Sequence, residues 1–147
     1  MFQSNNKKLI GNIGEELACG YLGGKGYKII DRNFHTRFGE LDIIAISPLK
    51  TLVFIEVKTM VKVADFNTTD FGSYPHISGN SGICSIKPED QLSTSKIARF
   101  IKISQWYANQ NQNISGNGYR LDAICIDLSS NLETALDIRH YESIVEV

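Results

Sequence analysis

The sequence predicts an α/β fold, with helices packed on a mixed central β-sheet, and three observations lead to that class. Two apolar runs rich in β-branched residues lie on either side of Ser47-Pro48-Leu49-Lys50, a stretch with the composition of a turn. Apolar residues recur at helical spacing over 5–24 and again over 93–110. Tyr119 to Leu128 reads as a further strand, so the order is helix, three strands, long loop, helix, two strands.

In the first helix the apolar stripe is Leu9, Ile10, Ile13, Leu17, Tyr21 and Leu22, with Asn5 or Asn6 as cap and Gly23-Gly24 as stop. Glu15 and Glu16 flank this stripe, one on each edge, where solvation is the ordinary fate of an acid. Gly26 to Phe34 reads as the first strand, and His35 to Gly39 as the connection into a hairpin. Gly39 suits an unusual backbone torsion or a bulge. Arg37 in that connection could contact phosphate or simply be solvated.

The hairpin, 40–58, holds the most informative feature of the chain: Asp42 in its first run, Glu56 and Lys58 in its second. Charges amid Val, Ile and Phe are costly unless paired or bound to metal. If the hairpin is centred near Leu49, Asp42 stands opposite Glu56, with Cβ atoms roughly 4.5 to 5.5 Å apart. Lys58 then lies on the same face one pleat on, at about 6.6 Å. A register slip of one residue would send Asp42 to the other face. A structural ion pair is one explanation of these charges, but two acids against one lysine leave a negative surplus that favours a cation.

Residues 61–92 lack periodicity and are rich in Ser, Gly, Asn and Asp, which predicts a long loop or partly ordered insertion. Phe66, Phe71 and Tyr74 suggest that part of it packs, with a short strand near Gly82 to Ile86 and a role as lid or substrate clamp. The second helix, 93–110, starts from Ser93 or Thr94, or earlier at Pro88, and its expected buried stripe is Ile97, Phe100, Ile101, Tyr107 and Ala108. On its other side Arg99, Lys102 and Trp106 cluster, with Lys96 and Ile103 nearby. Basic groups interleaved with an aromatic suit phosphate contact and base stacking, and an exposed Trp beside an Ile equally suits a homodimer interface. An Asn-Gly-rich turn at 110–118, the strand 119–128, a second strand at Ala135 to Tyr141 and a tail from Glu142 complete the chain.

The chain of 147 residues is expected to form a single domain, 1–147, with a core that needs neither disulfides nor a structural metal. Met1 to Lys8 lacks the apolar stretch of a signal peptide, and no run approaches membrane-spanning length, so a cytoplasmic protein without membrane contact is expected. Cys19, Cys84 and Cys125 read as reduced thiols, and the scattered His35, His76 and His140 give little support to a zinc site. With that location the sequons at Asn67 and Asn113 carry no meaning. The net charge of −1 hides an asymmetry. Residues 58–120 carry seven Lys or Arg against four acids, and 121–147 one Arg against six acids, so an anion-binding face belongs to the middle segment.

Asp42, a spacer, then Glu56-Val57-Lys58 at the end of an apolar strand resembles the signature of the PD-(D/E)xK nucleases, a loose pattern by itself. Gly11-Asn-Ile-Gly14-Glu15-Glu16-Leu-Ala18, Tyr21-Leu22, Gly26-Tyr27, Arg32-Asn33, Gly39-Glu40-Leu41-Asp42, Phe54 to Thr59 and Arg120-Leu121-Asp122 resemble, in order and spacing, the YraN-like bacterial family. That family is considered related to archaeal Holliday junction resolvases, and the resemblance covers nearly the whole chain.

The resemblance implies a restriction-endonuclease-like core and a Mg²⁺- or Mn²⁺-dependent endonuclease acting on branched or structured DNA. Asp42, Glu56 and the Val57 carbonyl would hold the metal, Lys58 would orient or deprotonate water, and Glu15 would be a further acid around it. Arg37, Lys96, Arg99 and Lys102 are the candidate DNA contacts. Asp122 matches the family's Arg-x-Asp pattern, as an ordering group or a plain structural acid, and Met60 departs from the family's basic residue there. A catalytically silent DNA-binding module is the alternative. Glycoside hydrolysis by the paired acids ranks far lower, since Lys58 should depress carboxylate pKa values where one acid must stay protonated.

Overall fold

The computed structural model describes residues 2–62 and 93–146. Helix α1 (Phe2–Gly24) leads into three strands, β1 (Lys28–Thr36), β2 (Gly39–Ile46) and β3 (Leu52–Val61). Helix α2 (Thr94–Gln110), the single turn α3 (Gln112–Ser115), β4 (Tyr119–Leu128) and β5 (Ala135–Val145) follow. The strands form one sheet in sequence order, antiparallel except where β3 runs parallel to β4. Helices cover both faces, giving an α/β layering of mixed sheet and flanking helices consistent with a restriction-endonuclease-like core. Among the described residues no helix is long and apolar enough to cross a membrane.

Alternation along β2 and β3 builds the two cores. Ile43, Ala45, Val53 and Ile55 turn to α1, where Ala18 and Leu22 meet them together with Ile124 and Ile126 of β4. Ile44, Leu52 and Phe54 turn to the other face, against Phe100, Ile103, Tyr107 and Ala108 of α2. Residues 121–128 are buried throughout, as expected for a strand covered on both faces.

α1 approaches β3 so closely that an ideal Cβ placed on Gly14 would lie 1.7 Å from Thr59 Oγ1 and 2.9 Å from Thr59 Cβ. Thr59 Oγ1 is itself buried without a hydrogen-bond partner among the described residues. Gly14→Ala is therefore expected to push helix from sheet and cost about 1–3 kcal/mol, read as a lower Tm in thermal unfolding. A double change, Gly14→Ala with Thr59→Ala, should recover part of that loss.

Several expected boundaries shift. α1 begins at Phe2, ahead of the Asn5 or Asn6 cap, and His35 and Thr36 extend β1 because they pair with Glu40 and Gly39 across a tight turn. Gly39 has φ +139°, a torsion that glycine permits. The bulge lies elsewhere, between Ile29 and Asp31. β5 runs to Val145, absorbing the expected tail by pairing with β4, and the turn at 110–118 contains α3. Ser93 caps α2, its side chain accepting from the Lys96 N–H. Ile103 is buried, whereas Ile97 and Ile101 are only half-buried, so α2 is rotated toward its Ile103 side relative to the expected stripe. The lid or clamp expected at 61–92, with its Phe66, Phe71, Tyr74 and the strand near Gly82, falls outside the described residues but for Val61 and Lys62, as do Cys84, His76 and Pro88.

Candidate functional site

The β2–β3 register is Ile43 to Ile55, Ile44 to Phe54 and Ala45 to Val53. Burial of both faces enforces it, since a slip of one residue would exchange the two cores. Continued by one step, it sets Asp42 opposite Glu56. There the ladder gives way to a side-chain contact, with the Val57 N–H donating to Asp42 Oδ2 at 2.8 Å. Lys58 Nζ donates to Glu56 Oε1, also at 2.8 Å. Asp42, Glu56 and Lys58 together line a cleft of about 440 Å³ between the sheet and α2.

Burial, followed by the Glu56 charge, pushes the Asp42 carboxyl up from 3.8 to about 7, against the opposing influence of the Val57 amide and Lys58. Lys58 does pull the Asp42 carboxyl down, as expected, but desolvation and the Glu56 charge outweigh the ammonium there. For Lys58 burial works to lower the pKa, but the Glu56 charge and hydrogen bond outweigh it and hold the group above the ordinary lysine range. Lys58 is therefore a cation in this arrangement, suited to orienting water and offsetting charge rather than to removing a proton.

The donor set fits a hard divalent cation. Two adjoining carboxylates, one destabilised as an anion by burial and by its neighbour, are what such a charge would relieve. A strand residue turns its N–H and C=O toward the same neighbouring strand, so Val57 opens its carbonyl to the Asp42 side as well. No three His, Cys, Asp or Glu residues gather as a metal cluster among the described residues. Water and substrate oxygens would have to complete the coordination, as Mg²⁺ usually requires.

A raised acid also carries a pH signature. Asp42 is protonated more readily folded than unfolded, so its effect on stability is most favourable below the unfolded value near 4 and is lost as pH rises through about 7. Without divalent cations, Asp42→Asn is therefore expected to melt higher than the parent at pH 8, by roughly 1–3 kcal/mol, with the gap closing toward pH 5. Mg²⁺ should raise the parent's Tm at pH 8 and leave the Asn variant's nearly unchanged. Equal melting of the two proteins across this range would contradict the account.

The remaining predicted residues divide between the cleft and its margins. Lys96 and Arg99 line it from α2. Arg37 and Lys102 instead sit over the Phe38 ring, 4.8 and 4.2 Å from its centroid, beside the cleft. Glu15 accepts from Asn33 Nδ2 at 2.8 Å and reaches Asp42 only as a minor charge influence, so it borders the pair without joining it. Glu16 is occupied by Arg32 at 2.8 Å. Asp122 is far from Lys58's role: it is fully buried among Arg120, His140 and the Ser143 N–H, a structural acid.

His35, Phe38 and Glu40 were not singled out, yet all three line the cleft. Glu40, two residues before Asp42 in a strand, could have been found by alternation. His35 could not, because its pairing with Glu40 depends on β1 reaching past Phe34.

A family model described as uncharacterised protein family UPF0102 matches residues 14–126. A UPF0102 protein of Caldanaerobacter subterraneus is 32% identical over 135 residues, covering 92% of this chain and 93% of that one. One from Persephonella marina is 34% identical over 116 residues, covering 79% and 81%. One from Alkaliphilus oremlandii reaches 63% identity over a shorter stretch of 54 residues, 37% of this chain and 44% of that one. The matched span takes in α1 from Gly14, the hairpin with its three charges and most of β4, and the chain belongs to UPF0102, the YraN-like family.

Proposed function

We propose that this protein is a metal-dependent endonuclease that hydrolyses phosphodiester bonds in branched or otherwise structured DNA. The observation that carries the reading is the meeting of Asp42, Glu56 and Lys58 in one cleft whose far wall presents Lys96 and Arg99. Two acids alone would suit several chemistries, including glycoside hydrolysis, for which a carboxyl raised to about 7 is itself favourable. The three cations around them suit an anionic substrate instead.

Asp42, Glu56 and the Val57 carbonyl would hold Mg²⁺ or Mn²⁺, which when bound acidifies water and polarises a phosphate. Lys96 and Arg99 receive the phosphate backbone as it enters between sheet and helix. Lys58, held beside Glu56, would orient the attacking water and offset the negative charge gathering on the phosphorus oxygens. The Val57 amide keeps Asp42 in place through the cycle. Glu15 adds negative charge at the margin.

One observation favours the silent DNA-binding module: Glu56 is already neutralised by Lys58. The test is the purified protein on four-way junction, flap, single-stranded and linear DNA, with and without Mn²⁺. Metal-dependent nicking of the structured substrates is expected. Gel-shift binding with no nicking under any metal condition would replace the nuclease by the module.

A further inference from the structure

Beside the acid-lined cleft lies a second recess, of about 380 Å³, lined by His35, Thr36, Arg37, Phe38 and Trp106. His35, Thr36 and Phe38 border both, so the two spaces share a wall. Trp106 is 45% exposed, and it is held flat by stacking on Phe34, with centroids 6.1 Å apart and planes at 28°. The Phe38 ring carries the Arg37 guanidinium and the Lys102 ammonium within 5 Å of its centroid. An aromatic-walled space with a cationic rim, opening beside the acid-lined cleft, matches a flat apolar group flanked by anions.

We propose that the recess between Trp106 and Phe38 receives an unpaired nucleobase of the DNA strand whose phosphate lies at Asp42 and Glu56. The inference rests on reading the neighbouring cleft as a phosphodiester site. Bases within a duplex have both faces covered by their neighbours, so only an extruded, bulged or single-stranded base can enter. Every base has a π-face, so such a site selects DNA structure while tolerating sequence. Arg37 and Lys102 then neutralise the phosphates on either side of the captured base. A second copy of the chain fits the recess less well. Ile103 is buried beneath α2 rather than exposed beside Trp106, and two symmetric patches would bring their cations together.

Trp106 is the only tryptophan of the chain, so tryptophan fluorescence, excited selectively over that of the six tyrosines, reports on this recess alone. Three DNAs of equal length would be titrated with Ca²⁺ in place of Mg²⁺: a perfect duplex, a duplex with one bulged base, and the same bulge with an abasic residue. Strong quenching is expected for the bulged base and little for the other two. By anisotropy of labelled DNA, Trp106→Ala should weaken binding of the base-bearing bulge about tenfold and leave the abasic bulge unaffected, while Trp106→Phe retains most of the affinity. Thermal melting checks that both variants fold. Equal affinity for base and abasic bulges, or equal weakening of both by Trp106→Ala, overturns the proposal. So does a Trp106 signal that changes with protein concentration in the absence of DNA, which would place a second copy there. Metal-dependent nicking indifferent to the bulged base would overturn this site and leave the nuclease standing, and base-dependent quenching without any nicking would do the reverse.

Discussion

Asp42→Ala, Glu56→Ala and Lys58→Ala are each expected to lower metal-dependent nicking by at least about 10²–10³-fold, the usual cost of removing one preorganised charge from a reacting centre. Their effects on folding should differ, which separates chemistry from collapse of the site. Asp42→Ala removes an acid that burial disfavours as an anion, so the protein should be no less stable at pH 8. Glu56→Ala leaves the Lys58 ammonium, only 28% exposed, without its 2.8 Å partner, and a modest loss of stability follows. Lys58→Ala leaves Asp42 and Glu56 without the cation paired to Glu56, so it should bind divalent ions at least as well while failing to cleave. Single-turnover nicking rates and Mg²⁺-dependent melting, measured on all three, give the pattern. Undiminished nicking in the three variants would end the mechanism.

The largest loss of stability is expected from Asp122→Ala. The Asp122 carboxylate is fully buried and is engaged on every side, by Arg120 Nε at 3.0 Å, Arg120 Nη2 at 3.1 Å, His140 Nε2 at 2.8 Å and the Ser143 N–H at 3.0 Å. Truncation leaves the mostly buried Arg120 guanidinium with only the half-exposed Glu142 and the Tyr27 hydroxyl, and deprives the imidazole and the amide of their shared partner. Removing one partner of such a group typically costs about 3–5 kcal/mol, a large share of a domain's total. Chemical denaturation should show the midpoint falling sharply. Nicking measured well below the new Tm should stay near the parental rate, because this cluster contacts β5 and Tyr27 rather than the cleft. A change under about 1 kcal/mol would mean that the cluster does not hold β5 to the sheet.

The part of the site carried by one hairpin was legible from residue order. The Ser47 to Lys50 turn and the two alternating strands determine which residues oppose one another, so Asp42, Glu56 and Lys58 could be placed together from local rules alone. Strand β4 and the Ser93 cap were legible for the same reason, as properties of short stretches. What could not be read depends on contacts across the chain. The side of α2 that is buried is decided by how the helix lies on Leu41, Ile44 and Phe54, which is why Ile103 turned inward against expectation. Two partners of Asp122, His140 and Ser143, arrive on a strand whose length is set by pairing, not by its own composition. Arg37 and Lys102 meet at Phe38 only after the β1–β2 turn folds against α2.

The single parallel pairing in the sheet bears on the order in which the molecule assembles. α1 and the three strands after it meet through near neighbours along the chain, whereas Leu52 finds Tyr119 and Val61 finds Leu128 only after a long intervening stretch has closed. Loop closure makes such distant contacts slow to form, so the first half should gain its structure early and β4 with β5 should dock last. The acids and the lysine would then already be in place on a nascent meander, waiting for a late-arriving strand to pair along the open edge of β3 and give them a rigid seat.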